Sequence, residues 1–215
     1  GVDLPGVDSR FIRRTTNGKG SNVGVNLTKG QTVSLVKQGG GELSQVRMGL
    51  GWDAIKKKGL FGGTKEVSVD LDASALLFAA DKRVLDVVYY GNLRSADNSL
   101  IHTGDNLTGA GDGDDESIMV DLPRVSPQVA HIVFVVSSYS GQNFSQIENA
   151  FARVVDSADR DKELVRYQLT GSGTHTAVIM ARLSRQGAGW TFTAIGNPGN
   201  ARTADQLVPL AAQTF

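Results

Sequence analysis

The 215-residue chain contains no cysteine, which excludes disulfides, thiolate zinc sites, iron–sulfur clusters and cysteine nucleophiles together. Histidine is almost as scarce, since only His102, His131 and His175 are left for imidazole ligation or acid–base work. Net charge is missing too. Lys plus Arg and Asp plus Glu number 22 each, so no global field steers the chain toward nucleic acid or an anionic membrane, and any electrostatic function is local. No apolar run approaches the ~20 residues of a membrane-spanning helix. The N-terminal GVDLPGVDSRFIRRTTNGKG lacks the apolar stretch of a secretion signal, and the expectation is a soluble, cytoplasmic protein. Nor is there a G-x-S-x-G elbow, a Walker loop or a G-x-G-x-x-G fingerprint.

What is present is mostly strand-like. Residues 1–22 are polar, glycine-bearing and aperiodic, and read as an extension ahead of a domain spanning 23–215. Nine runs rich in Val, Ile, Thr or aromatics then follow, separated by polar or glycine turns: 31–37, 43–52, 66–78, 84–91, 118–122, 131–139, 163–170, 175–184 and 190–196. One segment has a different period. SQIENAFARVVDSA, residues 145–158, sets Ile147, Phe151, Val154, Val155 and Ala158 at helical spacing, and Ser145 with Glu148 makes an S-x-x-E capping box. The expectation is a mainly antiparallel β-sandwich with one well-formed α-helix lying on a sheet. Pro209 limits the C-terminal segment to a short helical turn.

Acid is concentrated in one place. From Ser95 to Asp121 there are seven acidic side chains and no Lys or Arg, and four of them fall within Asp112 to Glu116 of GDNLTGAGDGDDES. In EVSVDLDAS (66–74), strand alternation puts Asp70 and Asp72 on one face about 7 Å apart, with Val69, Leu71 and Ala73 on the other. Two carboxylates so placed repel unless a cation or several donors sit between them. Asn92, Asp97, Asp105, Asp112, Asp114, Asp115 and Glu116 lie on the loops that follow, which are rich in Gly, Asn, Ser and Thr. Hard oxygen ligands on pliable loops suit calcium, which takes about six to eight oxygens, better than magnesium. No EF-hand frame fits: counted from Asp97 the fifth position is Ile101, and counted from Asp112 the sixth is Ser117. Such a site has to be assembled from several loops.

The remaining features have ordinary readings. Lys56, Lys57 and Lys58, followed by Leu60 and Phe61, form a cationic tip. It reads first as a solvated loop, and as a calcium-dependent membrane contact if it lies beside the acidic loops. His102 precedes Asp105 by three residues, but an oxygen-dominated site gives its hydrogen bonding more weight than ligation. His131 and the two tryptophans read as structural, and Asp53 as a turn cap.

GLGWD (49–53), DLDAS (70–74), NLRSADNS (92–99), HTGDNLTGAGDGDDE (102–116) and FSQIENAFARVVD (144–156) together resemble the TerD-domain family of the tellurium-resistance and stress-response system. The resemblance runs from about Asn26 to Gly196, and GWDAIKKKGLFGG with SGQNFSQIENAFARVVD is most similar to the TerZ branch. It implies a β-sandwich with calcium-binding loops at one end, in a cytoplasmic protein tied to tellurite and other chemical stress, and no known reaction. Carried over by position, the ligand set it implies is Asp70, Asp72, Asn92, Asp97, Asp105, Asp112, Asp114, Asp115 and Glu116, holding one or two calcium ions. Two departures, Gly91 before Asn92 and Ala110 in the turn before the acidic run, leave a side-chain ligand to be replaced by a carbonyl or water. The expected role is a calcium-dependent sensor or assembly protein rather than an enzyme. Its expected partners are other stress proteins, at the inner face of the membrane in one version, and not nucleic acid. The alternatives are a metal-assisted hydrolase and a calcium-dependent membrane-surface module.

Overall fold

The computed structural model describes residues 43–58, 62–109 and 113–215, together with the backbone of two short upstream strands. Asp112, Leu60, Phe61, Ala110 and the whole 1–22 extension lie outside the described residues. In chain order the strands are β1 (Val25–Leu27), β2 (Val33–Leu35), β3 (Gln45–Asp53), β4 (Ile55–Lys58), β5 (Thr64–Val67), β6 (Leu71–Phe78) and β7 (Val84–Val88). They continue with β8 (Leu100–His102), β9 (Glu116–Asp121), β10 (His131–Ser138), β11 (Glu148–Asp156), β12 (Lys162–Gln168), β13 (Ala177–Gln186) and β14 (Gly189–Gly199). A single turn of α-helix, α1 (Val208–Ala211), with Pro209 in its first turn, sits among 3₁₀ turns near the C-terminus.

Two six-stranded sheets form, ordered β1-β12-β11-β3-β9-β8 and β2-β14-β13-β10-β6-β7, with β4 and β5 as a separate hairpin. Every described pairing is antiparallel except β1 with β12. This is the sandwich expected from the runs of β-branched residues. The inner faces meet in one core that includes Met48, Leu50, Trp52, Leu71, Ala73, Ile118, Phe134, Val154, Tyr167 and Phe192.

The second sheet is also covered on its outside. Leu76 and Phe78 of β6, Val133 and Val135 of β10, and Ile179 of β13 pack under Ala201, Ala204, Leu207 and Ala211 of the C-terminal segment. Period 2 along β6 therefore has apolar residues on both faces, and all eight of its residues are buried. Only toward Leu71 does the outer face turn polar, with Asp72 and Ser74.

The helix expected over 145–158 is not there. Residues Glu148–Asp156 form β11, the strand between β12 and β3. Ala150, Ala152 and Val154 are buried while Phe151 and Arg153 between them are partly exposed, so the period that wins there is 2 rather than 3.6, and past the register shift between Val154 and Val155 both Val155 and Asp156 are buried. The capping box dissolves as well: Ser145 donates its N–H and hydroxyl to the Asn143 side chain, and Glu148 pairs with Asp53 across the sheet. Local helix propensity here is worth tenths of a kcal/mol per residue, and a vacant central place between two strands outweighs it.

Candidate metal centre

The end of the sandwich where β6 begins is built from both sheets. Tyr139 N–H donates to Asp70 C=O, and the Asp70 N–H donates to Ser140 Oγ at 2.9 Å, so the turn after β10 holds the residues just before β6. Asp72 follows on the outer face, beside Ser137 in the β6–β10 register. Asp105 comes from the loop that leads out of β8 in the other sheet. Carboxylate oxygens of Asp70, Asp72 and Asp105 lie within 4.8 Å of one another.

Glu116, the first residue of β9, fixes that loop against β6. Its buried carboxylate accepts from the Ala73 N–H at 3.0 Å and from the Asn106 N–H at 3.1 Å. His102 completes the clasp. Its Nδ1 accepts from the Gly104 N–H at 3.0 Å, which places the proton of a neutral ring on Nε2, 3.1 Å from Ala73 C=O and 3.4 Å from Glu116 Oε2. Both ring nitrogens are thus engaged, Nδ1 within its own loop and Nε2 across to the other sheet.

Crowding shows in the ionisation. Burial, then the charges of Asp70, Glu116 and Asp105, push the Asp72 carboxyl up to about 8. Burial, then Asp105 and Glu116, push Asp70 up to about 6, and burial followed by the Glu116 charge raises Asp105. Asp70 Oδ1 and Asp72 Oδ2 are buried without a hydrogen-bond partner, a costly condition for carboxylate oxygens. Oxygen-only donors, like charges at contact range and orphaned lone pairs fit a hard cation such as calcium.

The other expected ligands are engaged elsewhere. Asn92 donates to Val87 C=O at 2.7 Å and to Asp86 at 3.3 Å in the turn after β7. Asp97 accepts from the Ser95 and Ser99 hydroxyls and from the Ser99 and Ser126 N–H groups. Burial opposes its ionisation, but those bonds prevail and hold it at about 2. Asp115 accepts from the Trp52 N–H at 2.9 Å and from Asn106 Nδ2 at 3.0 Å. Its carboxyl is nevertheless raised, chiefly by burial. Asp53 accepts from Asn149 Nδ2.

Asp114 has the most distinct role. It is gripped by Arg47 and by both Nε and Nη2 of Arg153, at 2.8 and 2.9 Å, on the outer face of the first sheet. Gly49 and Gly51 of GLGWD make room for it: a Cβ on Gly49 would stand 2.3 Å from the Asp114 carboxylate, and one on Gly51 2.3 Å from Gly113 C=O. The acidic run therefore divides between a cation-ready half and an anchoring half.

Beside the triad, the outer face of the second sheet opens into a cleft of about 350 Å³ lined by Asp72, Ser74, Ser137, Tyr89, Tyr90, Thr203 and Asp205, among others. None of its hydroxyl residues is a candidate on sequence grounds. The available signal was Ser137, a polar residue standing where the alternation of HIVFVVSS expects another apolar one.

Comparison with known proteins gives a consistent picture. The TerD domain model matches residues 23–212. The chain is similar to tellurium resistance protein TerZ of Serratia marcescens, 46% identical over 185 residues that cover 85% of this chain and 94% of that protein. It is also similar to tellurium resistance protein TerD of an Alcaligenes species, 43% identical over 80% of this chain and 89% of that one. A third relative is the stress response protein SCP2 of Bacillus subtilis, 38% identical over 86% and 97%. Among solved structures, that of a TerD homologue from Streptomyces coelicolor A3(2) superposes with a TM-score of 0.65 at 24% identity, covering 77% of this chain and 95% of that one.

Proposed function

Given that this chain belongs to the TerD-domain family of tellurium-resistance and stress proteins, we propose that it is a cytoplasmic calcium-binding module whose loop end becomes a sensing or assembly surface when the cation is held. The observation that carries the reading is the triad itself: Asp70, Asp72 and Asp105, drawn from two sheets to within 4.8 Å, with two buried carboxylate oxygens left over. Asp70, Asp72 and Asp105 would hold the ion, and Glu116 positions them through the Ala73 and Asn106 N–H groups. A bound calcium would supply the positive charge that three crowded carboxylates lack. Because the ion has no comparable site in the unfolded chain, its binding free energy would appear as folding stability.

A hydrolytic reading needs a general base beside the ion. The nearest imidazole, His102, is buried with both nitrogens engaged, which favours binding over catalysis. A membrane-surface version has two specific supports: Leu107, the most exposed of the large apolar residues described, lies two residues from Asp105, and the lysine-bearing β4–β5 hairpin leads into Asp70.

Calorimetric titration of chelator-stripped protein tests the proposal. Saturable calcium binding is expected, with a rise in melting temperature of the calcium-loaded protein and weak competition by magnesium. The variant Asp105→Ala should lower the affinity by roughly tenfold or more, as loss of one charged ligand implies. No heat of binding and an unmoved melting temperature would defeat the reading.

A further inference from the structure

The cleft on the outer face of the second sheet is distinct from the cation triad and shares only Asp72 with it. Its floor is laid by sheet register: Asp72 stands directly across from Ser137, and Ser74 lies one alternation further along β6. All three are almost fully buried, with 3%, 0% and 1% of their surface exposed. Ser137 Oγ and Asp72 Oδ2 line the cleft without a hydrogen-bond partner. One wall is Tyr89 and Tyr90 after β7, whose rings meet edge to face at 5.1 Å. The opposite wall is Thr203, Ala204 and Asp205, where the C-terminal segment begins to cover the sheet.

We infer that this cleft is a binding site for a small, neutral, polyhydroxylated molecule, a sugar or polyol. The lining residues offer hydroxyls from Ser74, Ser137, Thr203, Tyr89 and Tyr90 and carboxylates from Asp72 and Asp205, with no Lys, Arg or His among them. That composition disfavours phosphates and carboxylates, which would find no cationic side chain in the lining to pair with. Neighbouring donor and acceptor sites suit a ligand hydroxyl, which can accept from the Ser137 O–H while donating to Asp72 Oδ2, and so satisfies both buried groups at once. An ammonium could serve Asp72 but has no lone pair for the Ser137 hydroxyl. Tyrosine rings supply flat apolar surface for the C–H face of a sugar ring, and each adds a hydroxyl that can donate or accept. The volume stands at the small end of ligand pockets, about 300–1,000 Å³, which selects a single ring or short polyol.

The test is an amide-resolved NMR titration of the full chain with D-ribose, D-mannose and myo-inositol in turn, each in EDTA and again in calcium, with sodium acetate and tetramethylammonium chloride as charged comparators. Saturable shifts are expected for Ser74, Ser137 and Tyr90 with at least one of the polyols. Ser137→Val, nearly the same size and with fold verified by its dispersed spectrum, should weaken binding roughly five- to tenfold, the value of one buried hydrogen bond. Ser74→Ala should weaken it as well, and the remote exposed Ser145→Ala should not. The inference is overturned if no polyol moves the cleft signals, if Ser137→Val binds as well as the parent, or if only tetramethylammonium binds. Calcium-dependent shifts at Asp70 and Asp105 report the cation site separately, so either reading can fail while the other stands.

Discussion

At the scale of single residues, Asp72 sets the pH behaviour. Its carboxyl is raised to about 8 by burial and by Asp70, Glu116 and Asp105, so the folded state holds that proton more tightly than the unfolded chain, where an ordinary carboxyl titrates near 4. Its proton linkage therefore favours folding most below the unfolded value, and the advantage is lost as pH rises from about 4 through about 8. Asp97 runs the other way: held at about 2, it stabilises the fold above its unfolded value and ceases to do so as pH falls toward 2. A calcium ion held as proposed would have to displace the Asp72 proton, so its apparent affinity should fall between pH 8 and 6, with protons released on binding. Titrations in buffers of different ionisation enthalpy measure this release, and an affinity flat across that range would remove Asp72 from the ligand set. Asp70 and Asp72 were legible as a close pair from their spacing, but the strand expected over 66–78 breaks into β5 and β6, and Asp70 lies in the gap between them, held by Tyr139 and Ser140. The engagement of Asp97, Asn92 and Asp114 was not legible, since their partners, among them Ser126, Val87 and Arg153, are fixed only by the completed fold.

Among the elements, the loop from Thr103 to Asp115 and strand β11 depend on each other. Arg153 projects outward from β11 and, with Arg47 of β3, fixes Asp114 over Gly49. Arg153→Ala removes two charge-assisted hydrogen bonds and leaves a mostly buried carboxylate with one arginine. It should cost about 1–3 kcal/mol in urea unfolding, and it should weaken calcium binding as well, because the same loop carries Asp105. Loss of stability with unchanged calcium affinity would show that the anchor and the cation half of the loop are independent. The runs of Val, Ile and Thr announced most strands correctly, but β11 was hidden. Its Glu, Ala, Arg and Phe satisfy a helical period on paper, and what makes it a strand is the open place between β12 and β3, which no local pattern contains. The short β1, β4 and β8 were missed for a simpler reason, since three or four residues carry too little periodicity to register, and Lys56, Lys57 and Lys58, read as a solvated loop, are the exposed end of β4.

On the scale of the whole molecule, the partly buried acidic triad has two exposed features near it in the chain: Leu107, two residues beyond Asp105, and the hairpin bearing Lys56, Lys57 and Lys58, which leads into Asp70. No described helix is long and apolar enough to cross a membrane, and the membrane-surface version of the proposal rests on these features alone. Co-sedimentation with vesicles containing phosphatidylserine should then require calcium and drop when the three lysines are neutralised, each worth about 1 kcal/mol near an anionic surface. Binding indifferent to both changes would leave protein partners as the reading for this end.

The Glu116 clasp bears on how the layers move. Apolar packing resists separation of two sheets but tolerates sliding, because one methyl contact is replaced by another at little cost. Glu116, at the head of one sheet, reaches the Ala73 N–H of the other, and His102 spans the same gap to the Ala73 carbonyl. These bonds act as a shear pin, since a slip of even one residue would strand a buried carboxylate. A cation held by Asp70, Asp72 and Asp105 would be a second pin through the same two layers, and stiffness against sliding would rise with calcium while the apolar core stayed unchanged.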